Sequence, residues 1–144
     1  MVGFCWMVGW PYNPVTLYPM EMNVLGTRLE SCSRDPLTGF MRDGLCKECP
    51  GDRGKHIVCA MMDETFLAFS AERGNDLTTP RPDLGFPGLR PGDKWCICLA
   101  RWIEAFQAGV APKVDLKATH VTVLETVPMK ILKDFALNDF INLN

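Results

Sequence analysis

The distribution of apolar residues predicts a strand followed by a helix in the middle of the chain. Residues 55–62, KHIVCAMM, form a short apolar run with β-branched residues at its centre, which is typical of a buried strand. Asp63 is a residue type that caps helices, and Phe66 and Phe69 then give a helix an apolar side. Gly74 is the type expected just after the last helical turn. The pattern therefore predicts a strand–helix unit that ends at Gly74.

A helical period also runs through the segment after residue 93. Its apolar side chains recur at helical spacing on one face: Trp95, Cys98, Leu99, Trp102, Ile103 and Phe106. Asp93 precedes the run as an N-cap, and Gly109 follows it. Residues 95–98, WCIC, would also suit a strand, but no Gly, Pro or Asn provides a joint before residue 108. We therefore predict one helix over residues 94–108.

The C-terminal part adds a strand and shorter helices. Residues 113–119, KVDLKAT, predict the strand, and Thr119 is placed to cap a short helix. Pro128 is expected at the first position of a last helix, whose inward residues are Ile131, Leu132 and Phe135. The predicted fold class is α+β, a small β-sheet packed with three to four helices in a single compact domain.

Length and charge narrow the range of partners. A chain of 144 residues with 47% hydrophobic content can bury the core of one domain, which we place at residues 23–140. The net charge is −2 and no Lys/Arg cluster stands out, which excludes a nucleic-acid partner. No apolar run approaches the roughly 20 residues of a membrane span, so no membrane partner is expected.

The seven cysteines favour a reducing compartment. Their number is odd, and the chain is long enough to fold without disulfides. Free Cys is among the residue types most often buried. We therefore expect reduced thiols that fill core volume, in a cytoplasmic protein.

Residues 1–22 are expected to form an N-terminal extension. Their first ten residues, MVGFCWMVGW, are apolar but lack the basic start and the cleavage site of a signal peptide. An apolar patch of this kind is typical of an interface, with another protein or with a second copy of the chain. The alternative that Met22 is the natural first residue stays open. One hypothesis is therefore a protein-interaction or homo-oligomerisation module without enzymatic activity.

The other hypothesis places a small-molecule site in the proline-rich loop (residues 75–94). A connection of this length is uncommon unless it is functional or disordered. Prolines and two Pro-Gly turns restrict its backbone, so its polar residues are expected to be held in place. Asn75, Asp76 and Arg81, with Trp95 and His56, would line a pocket for a polar or anionic ligand. The alternative is that Asn75 and Asp76 only cap the preceding helix and Arg81 forms a structural ion pair.

Two further residues are candidates for the same ligand site. Arg42 lies in a second polar loop (residues 38–43, the Arg42 loop), which would form the opposite rim or a simple surface turn. His120 is expected to be exposed in the first turn of a helix. The aromatic stripe of Trp95, Trp102 and Phe106 is typical of core packing, so no cofactor is expected.

The candidate catalytic residues are His56, Asp76 and Cys96. In a helix over residues 94–108, Cys96 lies in the first turn, where the helix dipole lowers a thiol pKa. Cys98 would then lie on the apolar face and be unreactive. A thiol nucleophile needs a base, and His56 and His120 are the two histidines of the chain.

A zinc site is the remaining alternative for the cysteines. Cys46, Cys49, His56 and Cys59 offer ligand types that zinc accepts. However, the alternation of a strand would place His56 and Cys59 on opposite faces. We therefore expect separate buried thiols and no metal.

Several long blocks of the chain carry a family resemblance. They include CSRDPLTGF at residues 32–40, RGNDL at 73–77, TPRP at 79–82 and GFPGL at 85–89. Together they strongly resemble the bacterial-type domain-of-unknown-function family numbered 2237, over roughly residues 23–137. The resemblance implies a free-standing compact domain and no known activity. Leu45 and Cys49 depart from the family pattern.

Overall fold

The structure, a computed structural model, describes residues 22–137. This part contains a two-stranded antiparallel sheet, three α-helices and short 3-10 turns. The strands are β1 (Val58–Met61) and β2 (Lys94–Ile97). The helices are α1 (Glu64–Glu72), α2 (Leu99–Gln107) and α3 (Met129–Asp134). The predicted α+β class is confirmed, with three helices in the described range.

The predicted strand–helix unit is present. The Asp63 carboxylate accepts a hydrogen bond from the Phe66 N–H at 2.7 Å, which satisfies one of the unpaired donors at the start of α1. Phe66 and Leu67 are buried beneath the helix. Gly74 has φ +89° just after the helix, a left-handed conformation that favours glycine. The local sequence therefore determines both ends of this unit.

The single helix predicted over residues 94–108 is wrong. Lys94–Ile97 form β2, which pairs with β1 so that Cys96 faces Cys59. The helix begins only at Leu99, and Trp102 and Ala105 are its other buried residues. The joint is Cys98, at φ −59° and ψ 135°, an extended conformation that needs no Gly, Pro or Asn. The sheet hydrogen bonds that β1 requires account for the change.

The C-terminal half is less regular than predicted. Residues 113–119 form no continuous strand; Val114 makes isolated bridges to Ala60 and Ala136. Val121–Glu125 form a 3-10 helix that is capped by His120, one residue after the predicted Thr119. Pro128 precedes α3 as its N-cap, so the predicted start of that helix differs by one residue.

Two clusters form the interior. The larger one is apolar and includes Trp102, Phe66 and Leu132. The smaller one contains the buried residues Cys32, Cys46, Cys59, Cys96 and Ala118. Its cysteines form the disulfides Cys32–Cys59 and Cys46–Cys96, which corrects the expectation of separate free thiols. Cys59 and Cys96 are register partners on β1 and β2, so they share one face of the sheet, where Cys32 and Cys46 meet them.

The disulfides also change the argument about compartment. The cytoplasmic location is predicted from the expectation of free thiols. Because four of these cysteines form disulfides, the location loses that support and stays a prediction. Between residues 22 and 137, no helix is long and apolar enough to cross a membrane. Residues 1–21 lie outside the described part, and the interface predicted for the N-terminal extension stays a prediction.

Candidate functional site

A cavity of about 450 Å³ lies between the proline-rich loop, the Arg42 loop and β2. Its lining includes residues that the sequence singled out: Arg42, His56, Asp76, Arg81 and Trp95. Apolar side chains from both loops complete the walls. The Arg42 loop is therefore brought against the proline-rich loop and β2, although it lies more than 30 residues before them in the chain.

Three other residues predicted for the site do not have the position or the chemical state that was expected. Asn75 is not among the cavity residues; its backbone pairs with Ser70 at the end of α1. His120 is fully buried and caps a 3-10 helix, which corrects the expectation that it is exposed in a site. Cys96 lines the cavity but lies in β2 and is bonded to Cys46, so it has no thiol to ionise.

The proline-rich loop is held by its own backbone. Leu89 is buried, and its N–H donates to the Leu77 carbonyl at 2.8 Å. Arg81 and Phe86 exchange two backbone hydrogen bonds around a tight turn. Leu84, in the same loop, is 61% exposed. The loop is thus a folded wall, and Leu84 contributes to the lining of the cavity while most of it stays exposed.

Asp76 and Arg81 are both satisfied inside that loop. The Asp76 carboxylate accepts hydrogen bonds from the N–H and hydroxyl groups of Thr78 and Thr79, which lower its pKa to about 2. The Arg81 guanidinium donates to both carboxylate oxygens of Asp83, at 3.1 and 2.9 Å. These contacts agree with the structural alternative for Arg81. Asp76 organises its own turn and does not cap α1.

Arg42 is placed differently from Arg81. Its backbone has a positive φ of 55°, and its guanidinium lies over the Trp95 ring, 5.1 Å from the ring centroid. Its Nη1 donates to the Gly39 carbonyl at 2.7 Å. Burial of part of the side chain lowers the pKa of Arg42. Within residues 22–137 no carboxylate forms an ion pair with this guanidinium.

His56, which lines the cavity, also contacts a free thiol. Cys98 is the free cysteine of the described part of the chain, and its Sγ lies 3.3 Å from His56 Nε2. His56 Nδ1 is in turn 2.7 Å from Asp52 Oδ1. Thiol, imidazole and carboxylate therefore form one continuous hydrogen-bonded series. This is the arrangement of nucleophile, base and orienting acid in cysteine-dependent catalysis.

Short-range structure holds this series together. Asp52 is buried, and its second carboxylate oxygen accepts the backbone N–H of His56 at 3.0 Å. Both oxygens are thus bound to one residue, which fixes the imidazole ring and directs Nε2 to Cys98. Gly54 lies against the pair: a Cβ there would approach Cys98 Sγ and His56 Cε1 to 2.9 Å. Only glycine leaves room for this contact.

The electrostatics favour a charged imidazole. The pKa of His56 is raised to about 9, chiefly by its hydrogen bond to Cys98 and further by Asp52, although burial opposes the shift. Cys98 is also the N-cap of α2 and makes no side-chain capping bond. The positive end of the helix dipole therefore lies beside its sulfur. His56 Nε2 and the N-terminal end of α2 therefore both lie beside the Cys98 sulfur.

Cys98 and Asp52 are not among the site residues predicted from the sequence. The helix predicted over residues 94–108 puts Cys96 in a first turn and Cys98 on an apolar face, whereas α2 begins only at Leu99. A usable signal was present in GDRGKH, residues 51–56, where an Asp precedes a His by four residues in a turn-rich segment. The zinc alternative fails because Cys46 and Cys59 belong to different disulfides and His56 faces Cys98.

The comparisons with known proteins identify a family. The model of the family described as "Uncharacterized protein conserved in bacteria (DUF2237)" matches residues 22–136, which is most of the chain. No curated protein matches the chain. The resemblance inferred from the sequence blocks is therefore confirmed.

Proposed function

The chain belongs to this uncharacterised family, and from that premise we propose that it binds a small polar or anionic ligand in the cavity and acts on it with Cys98 as nucleophile. His56 serves as the proton carrier and Asp52 as its positioning residue. Asp76 and Cys96, the other catalytic candidates from the sequence, have no catalytic role in this proposal.

The observation that carries the proposal is the short series from Cys98 to Asp52. Its two contacts, at 3.3 and 2.7 Å, join groups that are 42 and 4 residues apart in the chain. A structural pairing of His56 and Asp52 alone would not require a free thiol at the N-terminus of a helix. The geometry instead matches the requirements of thiol activation by a neighbouring imidazolium.

The position of His56 supports a link between the thiol and the cavity. His56 lines the cavity, and its Nε2 lies 3.3 Å from Cys98 Sγ, whereas Cys98 itself is not among the residues that line the cavity. A ligand bound against His56 is thus next to the group that activates the thiol. The cavity volume, about 450 Å³, is in the range of small-molecule sites.

The chemistry we propose is acyl transfer to water. The Cys98 thiolate forms a carbon–sulfur bond to the carbonyl carbon of an ester, thioester or amide. The bond to the leaving group breaks, and His56 Nε2 gives that group its proton. A water molecule then attacks the thioester as His56 accepts a proton, and the carbon–sulfur bond breaks to restore Cys98. N–H groups of the first turn of α2 would stabilise the oxyanion. The Leu99 N–H is not one of them, because it donates to the Lys55 carbonyl at 3.0 Å.

Alkylation with iodoacetamide tests the proposal without knowledge of the substrate. We expect Cys98 to react at pH 6.5 at least about tenfold faster than glutathione in the same solution, because an ordinary thiol with a pKa of about 8.5 is mostly protonated there. The H56Q variant is expected to lose this advantage and to recover above pH 9, where thiols ionise unaided. Peptide mapping identifies the labelled residue, and C98S is the control.

Two outcomes would overturn the proposal. One is a wild-type labelling rate at pH 6.5 that does not exceed that of glutathione. The other is an H56Q variant that folds normally and labels as fast as wild type at this pH. Circular dichroism and melting curves establish that each variant is folded.

A further inference from the structure

The two arginines that line the cavity differ in whether a carboxylate of the protein pairs with their positive charge. Arg81 is held by both oxygens of Asp83, so its charge is compensated inside the proline-rich loop. Arg42 has no ion-pair partner within residues 22–137 and lies partly desolvated over Trp95. The Asp76 carboxylate is occupied by four hydrogen bonds from its own turn. Arg42 is therefore the uncompensated cation that the two loops present to a ligand.

The same cavity offers an apolar surface. Leu84 lines it and is 61% exposed, so its side chain is accessible to a ligand. Phe86 also lines it and packs edge-on against Trp95, with ring centroids 5.3 Å apart. A ligand with an apolar body would cover Leu84 and contact Phe86. Removal of these apolar side chains from water favours binding of such a ligand.

We infer that the cavity selects a small amphipathic anion, an acyl compound with a carboxylate or phosphate group for Arg42 and an apolar body for Leu84 and Phe86. This inference rests on the proposed function, since it names the substrate class of the same site. A guanidinium presents a planar set of donors that suits either anion, so the two are treated as one chemistry. Arg42 is then a specificity-determining residue rather than a catalytic one.

The charge of the alkylating reagent provides the first test. Iodoacetate carries the anionic group and iodoacetamide does not, and both react with the same thiol. We expect the ratio of their rates at Cys98 to fall at least about threefold in R42Q, because one nearby positive charge is removed. R81Q is the matched control: it lines the same cavity and loses the same charge, but its pairing with Asp83 makes the expected change small.

Protection by reversible ligands provides the second test. Benzoate and phenyl phosphate are expected to slow the iodoacetamide reaction of wild-type Cys98, whereas benzyl alcohol and inorganic phosphate each lack one half of the ligand. Equal protection by benzyl alcohol and benzoate would overturn the inference, and so would undiminished benzoate protection in R42Q. Protection by benzoate alone, or by phenyl phosphate alone, identifies which anion the site takes. Because Arg42 has a positive φ, melting curves of R42Q establish that the variant is folded.

The inference and the proposed function fail separately. Benzoate binding to C98S, measured as a shift in melting temperature that R42Q in the same background removes, supports the anion site even if Cys98 proves unreactive. A reactive Cys98 with unchanged reagent ratios in R42Q leaves the nucleophile and removes the anion site. Absence of a benzoate shift in C98S, together with absence of protection in wild type, contradicts the inference directly.

Discussion

The proline-rich loop and the segment of residues 52–56 both place charged side chains beside the cavity, but they use those charges differently. In the loop, Asp76 receives hydrogen bonds from residues two and three positions further on, and Arg81 is paired with Asp83. These contacts are local and exposed. They determine the shape of the loop and leave little free charge for a ligand.

In residues 52–56, a local contact serves a distant one. Asp52 binds the backbone and the ring of His56, and the ring contacts Cys98 at the start of α2. The carboxylate is buried, so its effect on the imidazole is weakly screened by solvent. The comparison shows that a charged residue in a rigid loop is not thereby a site residue. His56 differs from Asp76 and Arg81 because its ring nitrogen reaches across the fold to Cys98 Sγ.

A matched pair of Gly→Ala variants gives the largest expected contrast. Gly88 has φ +81°, and a Cβ there would lie 2.5 Å from the Thr78 carbonyl oxygen, so G88A should lower the free energy of unfolding by about 2–4 kcal/mol. Gly54 has no such φ, but a Cβ there pushes against Cys98 and His56. G54A should slow Cys98 alkylation at pH 6.5 at least about tenfold, with a smaller loss of stability.

Urea unfolding and the iodoacetamide rate, measured on both variants, separate the two regions. If G54A is the more destabilised variant and labels normally, Gly54 has a packing role only. If G88A remains as stable as wild type, Gly88 does not lie as close to the Thr78 carbonyl as the structure indicates.

A pair of Asp→Asn variants gives a contrast of intermediate size. D52N removes the charge that supports the imidazolium, so the alkylation rate of Cys98 at pH 6.5 should fall about tenfold. D76N removes an exposed charge that binds only Thr78 and Thr79, and the rate should change less than about twofold. Equal alkylation rates in the two variants would show that Asp52 has no role in activating Cys98. A slower rate in D76N than in D52N would show that Asp76 has such a role.

The titration of His56 gives the smallest but most direct contrast. Its pKa, raised to about 9, is supported first by Cys98 and then by Asp52, so both C98A and D52N should move it down towards the ordinary 6.5, C98A by more. Nitrogen NMR of the ring reports the protonation state in each variant. D76N is expected to leave the titration unchanged. A wild-type value near 6.5 would show that no imidazolium–thiolate pair forms.

Local sequence signals predicted several parts correctly. Asp63 and Gly74 mark the ends of α1 because capping depends on neighbouring backbone groups. The proline-rich loop was recognised as a wall because proline and glycine act on the backbone itself. Of the residues predicted for a ligand site, Arg42, Arg81 and Trp95 line the cavity, whereas Asn75 and His120 do not.

Tertiary structure decided the rest. The helical period of the sequence begins at residue 95, yet residues 94–97 pair with β1 as a strand. The helix α2 therefore begins only at Leu99. That shift exchanges the roles of two cysteines: Cys96 joins a disulfide and Cys98 reaches His56. Capping and turn formation involve residues a few positions apart, so they can be predicted from the sequence alone. Strand pairing, disulfides and the Cys98 contact join residues that are distant in the chain, and their energies depend on the fold as a whole.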